Sequence, residues 1–190
     1  MIPKFFVELG EMLGRVEASD RAGAVVAYDE AMRRAVDLVR SQTAAGRKVI
    51  FVGNGGSAAI ASHQAVDYWK NGGMRAVAFN DSSLLTCVAN DFGYSHVFEK
   101  PVAMFADPGD VLIAISSSGR SENILRAVAA GEHAGCRVVA LSGFRPDNPL
   151  RHRGELNFYV PSDSYGYVEI THLAICHCIV DTIIAGRDPR

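Results

Sequence analysis

Val49-Ile50-Phe51-Val52-Gly53-Asn54-Gly55-Gly56-Ser57 passes from an apolar, largely β-branched run into a glycine-rich loop, and helical periodicity begins at Ser57. The same succession recurs about sixty residues on, where Val111-Leu112-Ile113-Ala114-Ile115 leads into Ser116-Ser117-Ser118-Gly119-Arg120-Ser121. Strands that are hydrophobic along their whole length and alternate with helices are covered on both faces, which is the pattern of a parallel sheet. In such sheets ligands bind beyond the carboxyl ends of the strands, where helix N-termini present unpaired N–H groups to anions. Either loop alone reads as a plain strand-to-helix turn, because glycine and serine are common turn and cap residues. The two together describe a phosphate seat. Ser57, Ser116, Ser117, Ser118 and Ser121 supply hydroxyl donors, while glycines such as Gly55 let the backbone approach closely.

Working outward, the pattern predicts strands at 48–52, 75–79, 110–115, 137–142 and 155–160. It predicts helices at 57–70, around 82–90 and 95–105, at 121–134 and at 165–185. The expected architecture is a three-layer α/β/α sandwich on a five-stranded parallel sheet, in a single domain over 1–190. Residues 1–46 are expected to be N-terminal helices and 47–190 the α/β core. Phe5, Phe6, Leu9, Met12, Leu13 and Val16 recur at helical spacing, as do apolar positions from Ala22 to Thr43, with a break at Ser19-Asp20. These helices connect no sheet strand, so they either build an oligomer interface or pack on their own domain. Residues 144–154, with two prolines and four Arg or His, read as an exposed connection.

A chain of 190 residues with 48% hydrophobic and 21% charged content holds one ordinary globular core. Its net charge of -2 and lack of a basic run argue against a nucleic-acid surface. No apolar run is expected to reach the ~18 residues that span a bilayer, and Met1-Ile2-Pro3-Lys4 begins no signal peptide. The expectation is a cytoplasmic protein with no membrane contact. Cys87, Cys136, Cys176 and Cys178 lack zinc-type spacing and read as reduced core residues.

His63 and Asp67 stand four apart on the helix that opens at the first loop, so they share one face. On the last helix His177 follows His172 by five residues and Glu169 by eight, which brings Glu169 and His177 near one face. Taken one at a time these are ordinary helical residues. Together His63, Asp67, Glu169 and His177 form a four-ligand set for zinc or another divalent ion, or an acid/base pair for proton transfer.

From Val49 to Ile183 the sequence resembles the sugar isomerase (SIS) domain proteins, and among them the phosphoheptose isomerases. The matching stretches are GNGGSAAIASHQAVD, SSLLTCVANDFGY, GDVLIAISSSGRSENILRA, GCRVVALSG and VEITHLAICH. The resemblance implies a flavodoxin-like fold and a homotetramer with sites at subunit interfaces. It also implies isomerisation of D-sedoheptulose 7-phosphate to D-glycero-D-manno-heptose 7-phosphate. It places the sugar phosphate on Ser57, Ser116, Ser118 and Ser121, puts Asn54 and Asp91 beside the sugar, and makes Asp67 and His177 the catalytic pair. In the zinc-binding members His63 and Glu169 complete the ligand set, and Glu169, like Gly55 and Ser117, is also expected among the substrate-binding residues. Two positions depart from the family pattern: Asp67 stands where a Glu is expected and Glu169 where a Gln is expected. A basic residue expected at 71 is Asn71. The alternatives are an isomerase of another sugar phosphate, a non-enzymatic protein-binding regulator on the same fold, and a dinucleotide-binding enzyme. The last rests on the match of Gly53 to Ala58 to G-x-G-x-x-A, which leaves the second serine loop unexplained.

Overall fold

The apolar runs become strands of one sheet. The computed structural model describes residues 2–187. In chain order it contains α1 (Ile2–Leu13), β1 (Glu17–Asp20), β2 (Val25–Val26), α2 (Tyr28–Ala44), β3 (Val49–Gly53), α3 (Gly56–Lys70) and β4 (Ala76–Ala78). Then follow α4 (Ser82–Phe92), α5 (Glu99–Phe105), β5 (Val111–Ser116), α6 (Glu122–His133), β6 (Arg137–Gly143), β7 (Leu156–Val160) and α7 (Tyr165–Ala185). Short 3₁₀ turns lie at Tyr94–His96 and Pro149–His152. The strand order is β2-β1-β7-β6-β5-β3-β4, and β4, β3, β5, β6 and β7 run parallel as expected. Counted from β3, that is the flavodoxin order 2-1-3-4-5, whose switch point falls between β3 and β5.

The sheet has seven strands rather than five. The N-terminal segment is not purely helical: β1 pairs antiparallel with β7 and with β2, which extends the sheet past its last parallel strand. The turn between β1 and β2 uses Gly23 at φ 83, and the Asp20 carboxylate accepts the Ala24 amide at 2.9 Å. The buried amide of Asn157 then ties the hairpin down, donating to the carbonyl oxygens of Ser19, Asp20 and Gly154. The reason for the misreading is local. Val25 and Val26 fit a helical period, and a two-residue strand has no period of its own, so α2 begins at Tyr28 rather than near Ala22.

Alternate residues of the strands feed two cores. Val49, Phe51, Val111, Ile113, Ile115, Val139, Leu141 and Phe158 face α2, α3 and α7. Ile50, Val52, Leu112, Ala114, Val138 and Ala140 face α5 and α6, with α4 on the rim. Contrary to the sequence expectation, α7 is long and apolar enough to cross a membrane, with an 18-residue stretch of mean hydropathy 1.6. Its apolarity has a local use, since Val168, Ile175, Cys176, Ile179, Val180 and Ile183 are buried against the sheet. An all-round apolar helix is what a core position calls for.

His172 is fully buried on α7, with Nε2 3.1 Å from the carbonyl oxygen of Ser142 and Nδ1 without a partner. Burial pushes its pKa from the usual 6.5 down to about 4. The neutral ring therefore contributes stability that is fully present above pH 6.5 and is lost as pH falls through about 4. A 2.5-unit difference corresponds to about 3 kcal/mol. We expect the unfolding free energy, followed by denaturant titration between pH 7 and 4, to drop less steeply by that amount in His172→Gln. An unchanged slope would reject the buried neutral imidazole.

Candidate active site

Both loops meet at the switch point. Gly53 ends β3 at a place where a Cβ would overlap the backbone of Ser57, so the chain can turn into α3 there only as glycine. Gly55 holds φ 54, a region that favours glycine. As the N-cap of α3 it offers no side-chain acceptor, and the amides of Gly56 and Ser57 are left open to an anion. On the other side β5 ends at Ser116, and Ser121 caps α6 through its backbone carbonyl while its hydroxyl makes no bond to the first turn. Gly119, at φ 61, packs so closely on Asn148 that no side chain fits. The Ser116 hydroxyl accepts from Gly119 N at 3.2 Å, and that of Ser118 accepts from Arg120 N at 3.2 Å. The Ser117 hydroxyl is buried without a partner.

Between the loops lies a cavity of about 230 Å³. Its lining includes Asn54, Gly55, Ser57, Ser116, Ser117, Ser118, Ser121 and Glu169, eight of the nine residues expected to bind substrate. Among the described residues, no Lys or Arg lines it. The nearby guanidinium of Arg120 is engaged by Asp147 at 3.1 Å. Asp91 is the ninth, and it is elsewhere. It is exposed on α4, where it accepts from Asn90 Nδ2 at 2.8 Å.

Farther along α3 and α7 a second group forms. His63 Nε2 is 3.3 Å from Asp67 Oδ2, and His177 Nδ1 is 3.8 Å from the same oxygen. The two imidazole rings stand 5.3 Å apart. The other carboxylate oxygen, Asp67 Oδ1, accepts from Asn71 Nδ2 at 3.1 Å, which turns Oδ2 toward both histidines. His63, Asp67 and His177 each place a donor atom within 4.8 Å of the others, with side chains 54%, 17% and 36% exposed. Two imidazoles and a carboxylate are donors that a divalent transition ion takes, and three protein ligands leave a position for water or substrate. The group fits such an ion.

Glu169, expected as the fourth ligand, is outside this group. Its carboxylate lies against the backbone of Gly56, where a Cβ at that position would overlap it, and it lines the serine cavity. Eight residues separate it from His177, roughly 12 Å along a helix, so with the side chain turned toward Gly56 the two serve opposite ends of one elongated site. His172 shares no part of it. Sequence reasoning missed Tyr165, which lines the cavity mouth with its ring edge-on to Phe144 at 4.8 Å. It also missed Asn123, whose amide pairs with that of Asn54. Phe144 is the one non-glycine described residue with positive φ, at 58, and an aromatic residue in that conformation was a signal only the backbone could give.

The SIS domain family matches residues 17–143. A phosphoheptose isomerase of Geobacter sulfurreducens is 34% identical over 186 residues, covering 90% of this chain and 97% of that protein. Another, of Thiobacillus denitrificans, is 35% identical over 89% of this chain and 90% of its own length. Among solved structures, the phosphoheptose isomerase of Neisseria gonorrhoeae superposes with a TM-score of 0.85 at 29% identity, covering 97% of each chain. That of Francisella tularensis does so with 0.83 at 30%, covering 98% of this chain and 97% of its own. On sequence and structure alike, this chain belongs to the SIS domain family, in its phosphoheptose isomerase branch.

Proposed function

We propose that this chain is an aldose–ketose isomerase that converts D-sedoheptulose 7-phosphate to D-glycero-D-manno-heptose 7-phosphate. The observation that carries the reading is the separation of its two groups. The serine cavity at the head of α3 suits a phosphate, while His63, Asp67 and His177 lie on the order of 10 Å down the same helices. A sugar with several carbons between phosphate and carbonyl bridges that distance, and a triose phosphate is too short. The activity carried in the names of the relatives agrees with it.

In this reading Asp67 Oδ2 removes the proton from the carbon beside the carbonyl, and the electrons pass into the carbon–carbon bond of an enediol. His177 moves the proton between the two neighbouring oxygens, and return of a proton to the adjacent carbon gives the aldose. Asn71 keeps the working oxygen of Asp67 aimed at the imidazoles throughout. His63, Asp67 and His177 would hold a divalent ion, which we take to be zinc from the donor set, and with it in place Asp67 would take the proton through a water or after releasing the ion. Bound there, zinc supplies Lewis-acid polarisation of the sugar oxygens.

The direct test is a panel of ketose phosphates in deuterated water, followed by NMR for exchange of the proton alpha to the carbonyl. We expect exchange with sedoheptulose 7-phosphate, and rates lower by about 10²–10⁴ in His177→Gln and Asp67→Asn with unchanged circular dichroism. Indifference to both substitutions would leave a binding protein on an isomerase scaffold.

Glu169 adds a negative charge to the cavity that receives the phosphate. Glu169→Gln should lower KM for the sugar phosphate roughly fivefold, the size of a ~1 kcal/mol repulsion in a water-filled site, with the zinc content by elemental analysis unchanged. Loss of zinc on that substitution would return Glu169 to the ligand set.

The apolar surface left uncovered supports a homotetramer. Ile2, Phe6 and Val7 on α1 and Val66 and Trp69 on α3 are exposed, and α4 carries Leu84, Leu85, Val88 and Phe92 with no residue buried. Patches of this kind mark interfaces. Light scattering should give about four times the 20.4 kDa chain mass, and Phe6→Glu or Trp69→Glu should reduce it. A monomer at micromolar concentration would contradict the assembly.

A further inference from the structure

The phosphate seat is split between two loops on different strands. The backbones of β3 and β5 pair as far as Gly53 opposite Ile115, and beyond that point the ladder ends. Asn54 is flanked by two glycines, which gives the first loop more conformational freedom than any other residue type would. Yet one phosphate can engage both loops only if the amides of Gly56 and Ser57 stand at a fixed distance from the hydroxyls of the second loop.

Among the described residues, the hydrogen bonds that cross from this loop to the first turn of α6 are those of one amide pair. Asn54 Nδ2 donates to Asn123 Oδ1 at 2.9 Å, and Asn123 Nδ2 donates to Asn54 Oδ1 at 2.8 Å. The hydroxyl of Tyr94 donates to the same Asn54 oxygen at 3.0 Å. An amide oxygen has two lone pairs, and here both are used. Three bonds from two elements thus fix one side chain between two glycines. Asn123 is 3% exposed and does not line the cavity, nor does Tyr94. Neither touches what the cavity holds. Asn123 sits two residues after Ser121, so the pair joins the head of α3 to the helix that follows the serine loop.

We propose that Asn123 and Tyr94 are positioning residues of the phosphate seat: by clamping Asn54 they set the spacing between the two loops, so that a single phosphate bridges both. The inference rests on the phosphate reading of the cavity. A residue that only tightens binding of a remote, non-reacting group shifts KM and leaves kcat.

The test uses inorganic phosphate as the probe, by calorimetric titration, alongside kcat and KM for sedoheptulose 7-phosphate. Asn123→Ala should weaken phosphate binding roughly 10-fold, and Tyr94→Phe, which keeps the ring and loses one of the three bonds, roughly 3-fold. KM should rise in step while kcat at saturation holds. Tyr94 is 61% exposed, so Tyr94→Phe folds even where Asn123→Ala does not, and it then decides alone. Unchanged phosphate affinity in the folded variants, or a fall in kcat with affinity intact, would overturn the clamp. Failure of the wild-type protein to bind phosphate would instead strike the phosphate reading beneath it.

Discussion

The parallel pairing of β3 with β5 is the constraint on which the site depends. Chain order reverses between them: the connection after β3 leads outward to β4, and the one after β5 leads the other way to β6. Helices α3 and α6 therefore leave on opposite faces, and the crevice between their N-termini cannot close. The lower ends of the same two strands are locked by a buried charge pair. Asp110 Oδ1 accepts the Lys48 amide at 2.8 Å, and Oδ2 meets the Lys48 ammonium at 2.6 Å and the Asp107 amide at 2.7 Å. The Lys48 ammonium also meets the exposed Asp107 carboxylate at 2.7 Å, so it is Asp110, 1% exposed, that would be left uncompensated by loss of Lys48. The effect of the pair is positional, since it fixes the register that sets Gly53 opposite Ile115 at the upper end.

From that crevice, α3 and α7 carry the site downward. One helix supplies Ser57 at its head and His63 and Asp67 below, and the other supplies Glu169 and then His177 in the same direction. A helix is a stiff ruler at 1.5 Å per residue, so the distance between the serine-lined cavity and the His63, Asp67 and His177 group is written into residue spacing rather than loop conformation. The stiffness comes from packing. Tyr68, fully buried, stands edge-on to Phe51 of β3 at 5.0 Å and donates its hydroxyl to the carbonyl of Cys176 on α7 at 3.2 Å. That contact joins sheet and both helices one residue from Asp67 and one from His177.

What could be read from the sequence follows from burial. The five parallel strands and α3 to α7 were legible because strands covered on both faces are apolar throughout and the helices between them are periodic. The β1–β2 hairpin was not, because its identity lies in pairing with β7 and in an Asn157 amide more than a hundred residues away. Within the site the same division holds. Serines and glycines after strands announced the two loops that line the cavity, and i,i+4 spacing brought His63 to Asp67. Side-chain direction was invisible. Glu169 shares a helix face with His177 but turns toward Gly56, and Asp91, in a segment matching the family, is exposed beside Asn90. Asn123 was hidden for a different reason, since an asparagine in the first turn of a helix looks like any other until its partner across the crevice is known.

The makeup of the cavity bears on how it selects. With no Lys or Arg among the described residues of its lining, the attraction for a phosphate that the proposed function requires would come from oriented amides and hydroxyls, which act over a few ångströms and depend on angle. A basic seat would draw any anion from a distance and lose strength with salt, whereas a neutral one discriminates by fit. The Glu169 carboxylate would sharpen that discrimination, because it lines the same cavity against Gly56 and is itself favoured by the positive end of α3. An anion that cannot fill the hydrogen-bonding positions of both loops gains too little to offset that repulsion. On the proposed function, the split seat would therefore reward a ligand that spans it, and the fixed distance from Asp67 would then determine which carbon of that ligand reaches the base.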